Sequence, residues 1–589
     1  MIRGLVWNLR DYLRSPFRVV VAAVALVAAA AAAYPLVRVF LNLFVVDGRV
    51  DFSSLGQITD VPGLGGILWN TFSVVIVSSI LALLAGAFLA WLNERTDATL
   101  GAIGRAMPYL PFLVPPIASA VGWLLLFHPT VGTGNAFLRN VLGHVGIHLG
   151  HGPVNIASWW GLTFVLAVVH VPYSYMVISA GLRNLDGALE EQSRVCGAGT
   201  VKTFFLVTLP GIRNSVGSAV LLLVFFGLAD YSIPVIIGTS AQIKMLSVEV
   251  VQLMTQKFPP QTGAAVSLSL VAVVAVAVVW VLQRRLLSRG HFYAIGGKGQ
   301  SSAIVRLRGW RRPCQAIAIL FIIVSSVLPL VSLVIVALTG FWSATPAWSN
   351  ISLRTFVNVL VNDSTSASSI QNSLVLAVFG ATLGVVVAAL AIEFVSSGRR
   401  SRFTGFVDAV IKAPATFSII VVTIGVILGF SGSPLYLGAT LTILLIGYVV
   451  VYLPQATVTI ESSASQVGRE LREASAVAGS SSSGTYLRVV APLVVPGLVA
   501  GWALLFVRML GDLTASVMLA GPSTSVIGFR ILSIYSNGSF GDLAALTLLV
   551  TVIATVVVFT LLLVSNRIGR RTRTATSSVV AVTGAEPAR

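Results

Sequence analysis

Glu191-Gln192-Ser193, then Gly197, then Leu209-Pro210: this polar stretch returns 282 positions later as Glu473-Ala474-Ser475, Gly479 and Ala491-Pro492. In both copies six residues separate Glu from Gly and thirteen separate Gly from Pro. The same offset relates Pro172 to Pro454 and Asp230 to Asp512. Each copy lies between long apolar runs, where an unconstrained loop would not keep such spacing. Self-similarity at one fixed offset over most of a chain marks an internal duplication.

The flanking sequence sets the solvent of the duplicated unit. Of 589 residues, 56% are apolar and 10% charged, and the mean hydropathy is +0.93; soluble domains carry about 25% charged residues. Crossing a bilayer takes roughly 20 apolar residues as a helix. Twelve such stretches are expected, near 19–43, 70–92, 109–127, 159–180, 216–237, 267–287, 314–339, 371–394, 411–428, 435–458, 494–520 and 546–565. None alternates with period two, which favours helices, whose backbone groups are satisfied internally, over a transmembrane barrel. The expectation is an all-α membrane protein with about twelve transmembrane helices in two parallel six-helix repeats. Its parts are a first repeat at 1–287 with a polar loop at 186–212, a basic linker at 288–313, a second repeat at 314–568 with a loop at 468–494, and a tail at 569–589.

Basic residues orient the chain. Seven of the 38 Lys and Arg fall on one side (Arg38, Arg49, Arg139, Lys244, Lys257, Arg354 and Arg530), Arg508 falls within an apolar run, and the remaining thirty lie in or beside 1–18, 93–108, 181–215, 288–313, 395–410, 459–493 and 566–589. By the positive-inside rule those segments, and both termini, face the cytoplasm. The net charge of +18 therefore reports membrane orientation and no nucleic-acid partner. Arg3, Arg10, Arg14 and Arg18 before Ala31-Ala32-Ala33 imitate a signal peptide, but apolar character continues to Phe44, so an uncleaved first helix is expected.

Other chemistry is sparse. Cys196 and Cys314, far apart in sequence, support neither a disulfide framework nor a zinc site. Four of the six His (His128, His144, His148 and His151) gather in a Gly-rich segment and read as solvated loop residues; no metal site is assigned. Gly296-Gly297-Lys298 is not a phosphate loop, since Gly299 stands where Ser or Thr is required, so no nucleotide or other cofactor is expected on the chain itself. No catalytic set is visible.

The repeated loops are expected to form helix–Gly–helix hairpins over 186–212 and 468–494. The glycine permits a tight turn between two short helices, and Pro210 or Pro492 starts the return to the bilayer, where its missing donor costs little. Such a knob suits a partner outside the membrane; an ordinary loop is the alternative for one copy, but not for two with the same spacing.

The Glu–Ala–Ala…Gly…Pro pattern resembles the signature of permease subunits of binding-protein-dependent ABC importers over about residues 65–287 and 366–568. The first copy departs in Gln192 and Ser193, the second in Ala491 before Pro492. The resemblance implies the type I importer permease fold, with Glu191, Gln192, Ser193, Gly197 and Pro210, and Glu473, Ala474, Ser475, Gly479 and Pro492, in coupling loops that dock on an ABC ATPase homodimer. It further implies ATP and Mg2+ on that ATPase, a solute-binding protein on the external face, and the inner or plasma membrane of a prokaryote. Fusion of two repeats, with Ala229-Asp230-Tyr231-Ser232-Ile233-Pro234 and Gly511-Asp512-Leu513-Thr514-Ala515-Ser516, looks most like ferric-iron permeases. Thiamine, polyamine or phosphonate permeases are the alternatives.

A charge near the bilayer centre costs a few kcal/mol and is usually paired or functional. Asp230 and Asp512 stand at matching places late in the fifth span of each repeat, Tyr231 follows the first, and Arg508 precedes Asp512 by four, a spacing that permits an intrahelical pair. They are either a neutralising salt bridge and a helix-end acid, or the flanks of a translocation path attractive to a cation. Tyr173, Tyr175, Tyr448 and Tyr452 either line that path or mark the interface belt. An ion-coupled secondary transporter, the rival class, would need more charge inside the spans and leaves the paired hairpins unexplained. Gly380 with Gly384, Gly425 with Gly429 and Gly497 with Gly501 are expected at close helix contacts.

Overall fold

A computed structural model describes residues 15–46, 49–101, 104, 107–287, 304–397, 401–465, 467 and 469–583. Arg3, Arg10 and Arg14, the 288–303 part of the expected linker with Gly296-Gly297-Lys298, Gly468 at the edge of the second loop, and 584–589 lie outside them. The described chain is helical almost throughout; a two-residue hairpin pairs Val45–Val46 with Arg49–Val50, and Thr96 forms an isolated parallel bridge to Val305.

All twelve apolar stretches fold as helix, but not as twelve unbroken spans. Among the described residues nine helices are long and apolar enough to cross a membrane, and two bent pairs raise the number to eleven. Helix 402–416 meets Ile419–Phe430 at 109°, and helix 200–211 meets Arg213–Ala229 at 71°. The stretch expected at 109–127 is a 3₁₀ segment, Met107–Leu113, followed by the short helix Pro116–Phe127. Pro108, Pro111, Pro115 and Pro116 explain this, because each removes a backbone donor and restricts the residue before it.

The two stretches carrying the aspartates are also interrupted. Helix Arg213–Ala229 ends immediately before Asp230, and Ala491–Leu510 ends before Gly511. Asp230 and Asp512 therefore sit in helix breaks and not within the fifth spans, which corrects the expected positions. Arg508 is in the last turn of its helix while Asp512 is past the end, so a regular i,i+4 helical register does not relate them.

The chain divides into two compact units, one of residues 1–41, 368–527 and 552–589, the other of 42–367 and 528–551. The units do not follow the order of the repeats, because each takes the opening helix of the other repeat. In the second unit helix Leu328–Thr339 lies against Pro116–Phe127: a Cβ on Gly122 would strike the Pro329 carbonyl, and Ser332 Oγ donates to Gly122 O at 2.6 Å. In the first unit helix Pro16–Phe44 lies against Ile419–Phe430 in the same way. A Cβ on Gly425 would strike the Pro35 carbonyl, Tyr34 Oη donates to Gly429 O at 3.1 Å, and Arg38 donates to Leu428 O. Backbones this close require a residue without a side chain.

Within the second unit, helices Leu64–Arg95, Trp159–Asn184 and Arg213–Ala229 pack around Ala82, Leu89, Val171, Tyr175, Ile178 and Leu223, all buried. Ser174 Oγ donates to Ala82 O at 2.7 Å across the closest approach. The first unit repeats the arrangement with Ser364–Ser397, Leu441–Ala464 and Ala491–Leu510. There Gly380 faces Met509, Gly384 faces Leu505 and Gly497 faces Ser463. Both triangles carry a hairpin on the connection between their second and third helices.

Candidate functional site

The hairpins are built from local rules. In the first, Asp186 caps helix Gly187–Val195 by accepting from Ala188 N at 3.0 Å, which satisfies a donor that would otherwise have no partner. The helix ends at Gly197, with φ +83, and Ala198 N closes back on Ser193 O at 3.1 Å. In the second, helix Arg469–Val477 ends at Gly479, with φ +81, and Ser480 N closes on Ser475 O at 3.1 Å. Left-handed glycine with a backward N–H to the helix's last turn is a standard helix stop. Each turn is then tied across by one side-chain bond: Ser193 Oγ to Thr203 Oγ1 at 3.1 Å, and Ser475 Oγ to Thr485 Oγ1 at 3.0 Å.

The returning arms also match. Thr200–Thr203 runs into a π-helical turn at Phe204–Thr208, and Ser482–Thr485 into one at Tyr486–Val490. Pro210 then lies in the short helix Leu209–Gly211, which breaks at Ile212 before the membrane helix. Pro492 instead opens the membrane helix Ala491–Leu510 without a break. Glu191, Gln192, Glu473 and Ala474 are exposed, while Ser193 and Ser475 are half-buried in the turn.

The structure adds residues that the motif did not single out. Leu189, Val195 and Phe205 are exposed on the first hairpin, and Leu471, Val477 and Leu487, their counterparts at the same offset, on the second. Val195 and Val477 are the most exposed, at 88% and 89%. Exposed apolar side chains repeated on two hairpins form small patches suited to a partner surface. The repeat itself held the signal, since Leu189/Leu471 and Val195/Val477 are identical pairs.

Each hairpin is also fastened to the second helix of its own repeat. Arg95 Nε lies 2.9 Å from Glu190 Oε2, both side chains nearly inaccessible. Arg95 further donates to Leu182 O and Leu185 O, and Thr208 Oγ1 donates to Glu190 Oε1 at 2.6 Å. In the second repeat Arg472 Nη1 donates to both carboxylate oxygens of Glu393 at 2.8 Å.

The aspartates are a second matched feature. Asp230 Oδ1 accepts from Ile233 N at 3.1 Å, and Asp512 Oδ2 from Ser516 N at 2.8 Å, so each caps the helical turn that follows its break. Asp230 has His170 Nε2 at 3.8 Å; Asp512 accepts from Tyr452 Oη at 2.7 Å, and Tyr448 Oη bonds Ser516 Oγ at 2.7 Å. His170 and Tyr452 are counterparts at the same offset. The Tyr173 ring lies against Phe226, tilted by 33° with centroids 4.3 Å apart, whereas Tyr175 Oη accepts from Asn93 at 3.2 Å near the hairpin end of the helix. Tyr231 is buried and Arg508 half-buried.

Residues 78–289 and 380–574 match the family described as binding-protein-dependent transport system inner membrane component, each match enclosing one hairpin. This chain belongs to that family. The permease is 21% identical over 534 residues to the Fe(3+)-transport system permease protein FbpB 2 of Haemophilus influenzae, covering 90% of this chain and 95% of that protein. It is 22% identical over 540 residues to the ferric transport system permease protein FbpB of Actinobacillus pleuropneumoniae, covering 89% and 75%. The spermidine/putrescine transport system permease protein PotC of Escherichia coli K12 matches at 26% over 213 residues, 36% of this chain and 78% of that protein. A solved bacterial ABC transporter involved in importing the acidic polysaccharide alginate aligns with a TM-score of 0.36 and 17% identity, covering 44% of this chain and 98% of that one. The permease is thus a multi-pass membrane component of an ABC importer, and family membership displaces the secondary-transporter reading.

Proposed function

We propose that the permease forms the translocation path of an importer for ferric iron and receives its energy through the two hairpins. The observation that carries this reading is the pair of hairpins with the same turn, the same Ser–Thr tie and the same exposed apolar residues. A dimeric ATPase offering two equivalent grooves would engage both at once. Glu191, Gln192, Ser193, Gly197 and Pro210, with Glu473, Ala474, Ser475, Gly479 and Pro492, belong to those contacts, and nucleotide with Mg2+ sits on the ATPase. An external solute-binding protein delivers the cargo. The hairpins and both termini face the cytoplasm, a placement the distribution of basic residues supports. Two repeats, 1–287 and 314–568, joined by the 288–313 linker, supply the moving halves, each half carrying the other repeat's opening helix, and these rock between inward- and outward-open states.

Relatives named for ferric transport span nearly the whole chain, which favours iron, and Asp230, Tyr231, Arg508 and Asp512 are the residues proposed beside the path. Uptake of radiolabelled ferric iron by cells expressing the permease with its ATPase and binding protein tests this. Uptake should fall to background when the ATPase is omitted. Uptake unaffected by that omission overturns the mechanism. Competition by spermidine in place of iron would move the cargo to polyamines, which the PotC match also favours.

A further inference from the structure

The ion pairs that fasten the hairpins join the same two elements in each repeat but run in opposite directions, although their helix members, Arg95 and Glu393, do not share the repeat offset. Glu190 and Arg472 occupy the same place in the two hairpins, 282 positions apart. Glu190 meets a base on helix Leu64–Arg95, and Arg472 meets an acid on helix Ser364–Ser397. Burying two charges is costly and is retained only where partner and geometry are well defined. A chance surface pair would not sit 3–4% exposed, as Arg95 and Glu190 do. Nor would chance place an ion pair of reversed sign at the same junction in both repeats.

The first junction carries a second restraint. Val305 N donates to Arg95 O at 2.8 Å, Asp97 N donates to Val305 O at 3.1 Å, and Leu307 N donates to Asp97 Oδ1 at 2.9 Å. The end of the linker is therefore strapped onto the backbone that presents Arg95. With Arg95 held by the strap and by Leu182 O and Leu185 O, a displacement of Glu190 acts on the end of helix Leu64–Arg95 with little slack. In the second repeat both carboxylate oxygens of Glu393 accept from one nitrogen of Arg472, and the same displacement acts on Ser364–Ser397.

We propose that Arg95–Glu190 and Glu393–Arg472 are the positioning contacts through which each hairpin drives the second membrane helix of its own repeat. Their opposite polarity makes each hairpin reject the other repeat's helix: Glu190 would face Glu393, and Arg472 would face Arg95. This rests on the reading that the hairpins receive an ATPase, and it adds which side chains carry the motion onward and why the halves cannot exchange partners.

The test has two arms. In the full chain alone, amide exchange over 187–208 should accelerate by about tenfold or more in Glu190→Arg, as expected when a buried pair becomes a buried repulsion. It should slow most of the way back in Glu190→Arg with Arg95→Glu, short of wild type because the swap loses the bonds from Arg95 to Leu182 O and Leu185 O and from Thr208 to Glu190, and should not slow in Glu190→Arg with Glu393→Arg. In proteoliposomes holding the permease with its ATPase and supplied with the iron-loaded binding protein, ATP hydrolysed per ferric ion taken up should rise about tenfold in Glu190→Arg and recover in the same-repeat swap alone. Reversing both hairpin residues, Glu190→Arg with Arg472→Glu, should uncouple most, and adding Arg95→Glu and Glu393→Arg should restore coupling. Unchanged exchange and stoichiometry in Glu190→Arg overturn the proposal. So does a same-repeat swap that regains the wild-type unfolding temperature but stays uncoupled. A wild-type chain that retains no ATPase removes the functional reading instead, whereas a bound ATPase with coupling indifferent to Glu190 removes only this inference.

Discussion

The two repeats agree in their turns and disagree in the side chains that hold those turns in place. Gly197 and Gly479 have nearly the same backbone angle, and the Ser–Thr tie differs by 0.1 Å in length. Around this shared frame, Glu190–Arg95 becomes Arg472–Glu393, and His170 beside Asp230 becomes Tyr452 bonded to Asp512. The return arm bends by 71° in the first repeat and continues as one helix, residues 482–510, in the second. A turn is restricted by covalent geometry, which gives few substitutes for a left-handed glycine. A buried pair needs only complementarity, which either sign satisfies. After duplication the first kind of position is held and the second drifts, as long as both partners drift together.

The comparison breaks most readily at the ion pairs. Glu190→Ala leaves Arg95 charged in a nearly inaccessible site, so about 3–5 kcal/mol of stability should be lost. Arg472→Ala leaves Glu393, 8% exposed against 4% for Arg95, so it should cost somewhat less; unfolding temperatures of the detergent-solubilised variants measure both. Equal losses would mean that the two junctions are equivalent despite their different burial.

Smaller effects are expected at the aspartates. Tyr452→Phe removes the phenol donor from Asp512 in a buried site and should cost about 1–3 kcal/mol. His170→Phe should cost less, since its nitrogen stands 3.8 Å from Asp230. The order of the two unfolding midpoints checks this, and a reversed order would show the histidine to be the stronger partner.

The hairpin glycines should respond alike. A Cβ at Gly197 or Gly479 would meet nothing within 4 Å, so each change to Ala costs conformational strain alone, about 1–2 kcal/mol. Unequal losses would show that the two turns differ in rigidity.

The smallest effect distinguishes how the second helices begin. Gly63 starts Leu64–Arg95 with no side-chain cap, whereas Asp363 accepts from Thr365 N at 3.1 Å and from Arg530 Nη2 at 2.6 Å. Partial burial pushes the Asp363 carboxyl up, but hydrogen bonds from Ser366 and Arg530, and the Arg530 charge, together hold it below its ordinary value. A depressed folded-state value means that the stabilisation is complete above the unfolded value near 3.9 and is lost as pH falls through the folded value beneath it. Asp363→Asn should therefore lower stability by up to about 1 kcal/mol at neutral pH. Its stability curve should converge on that of the wild type in strong acid.

What was legible in the sequence follows the same division. The hairpins could be read because their glycines and the repeat offset are fixed in one dimension. The apolar stretches are readable as helices, but their breaks are not: the expected span 109–127 runs through Pro111, Pro115 and Pro116, and the expected span 494–520 through Gly511. The ion pairs were hidden for a specific reason. Aligning the repeats sets Glu190 on Arg472, which reads as plain divergence until Arg95 and Glu393 are seen beside them. His170 on Tyr452 was hidden likewise, since only a shared aspartate gives the mismatch meaning.

The exchange of opening helices bears on how the chain is made. Tyr34 finds its partner at Gly429, 395 residues later. At roughly 5–20 residues per second, the helix holding Tyr34 waits some tens of seconds after its synthesis before the surface it docks on exists. During that interval it can rest only against lipid or the insertion machinery. Biogenesis of this chain must therefore tolerate one orphaned helix for most of a round of translation.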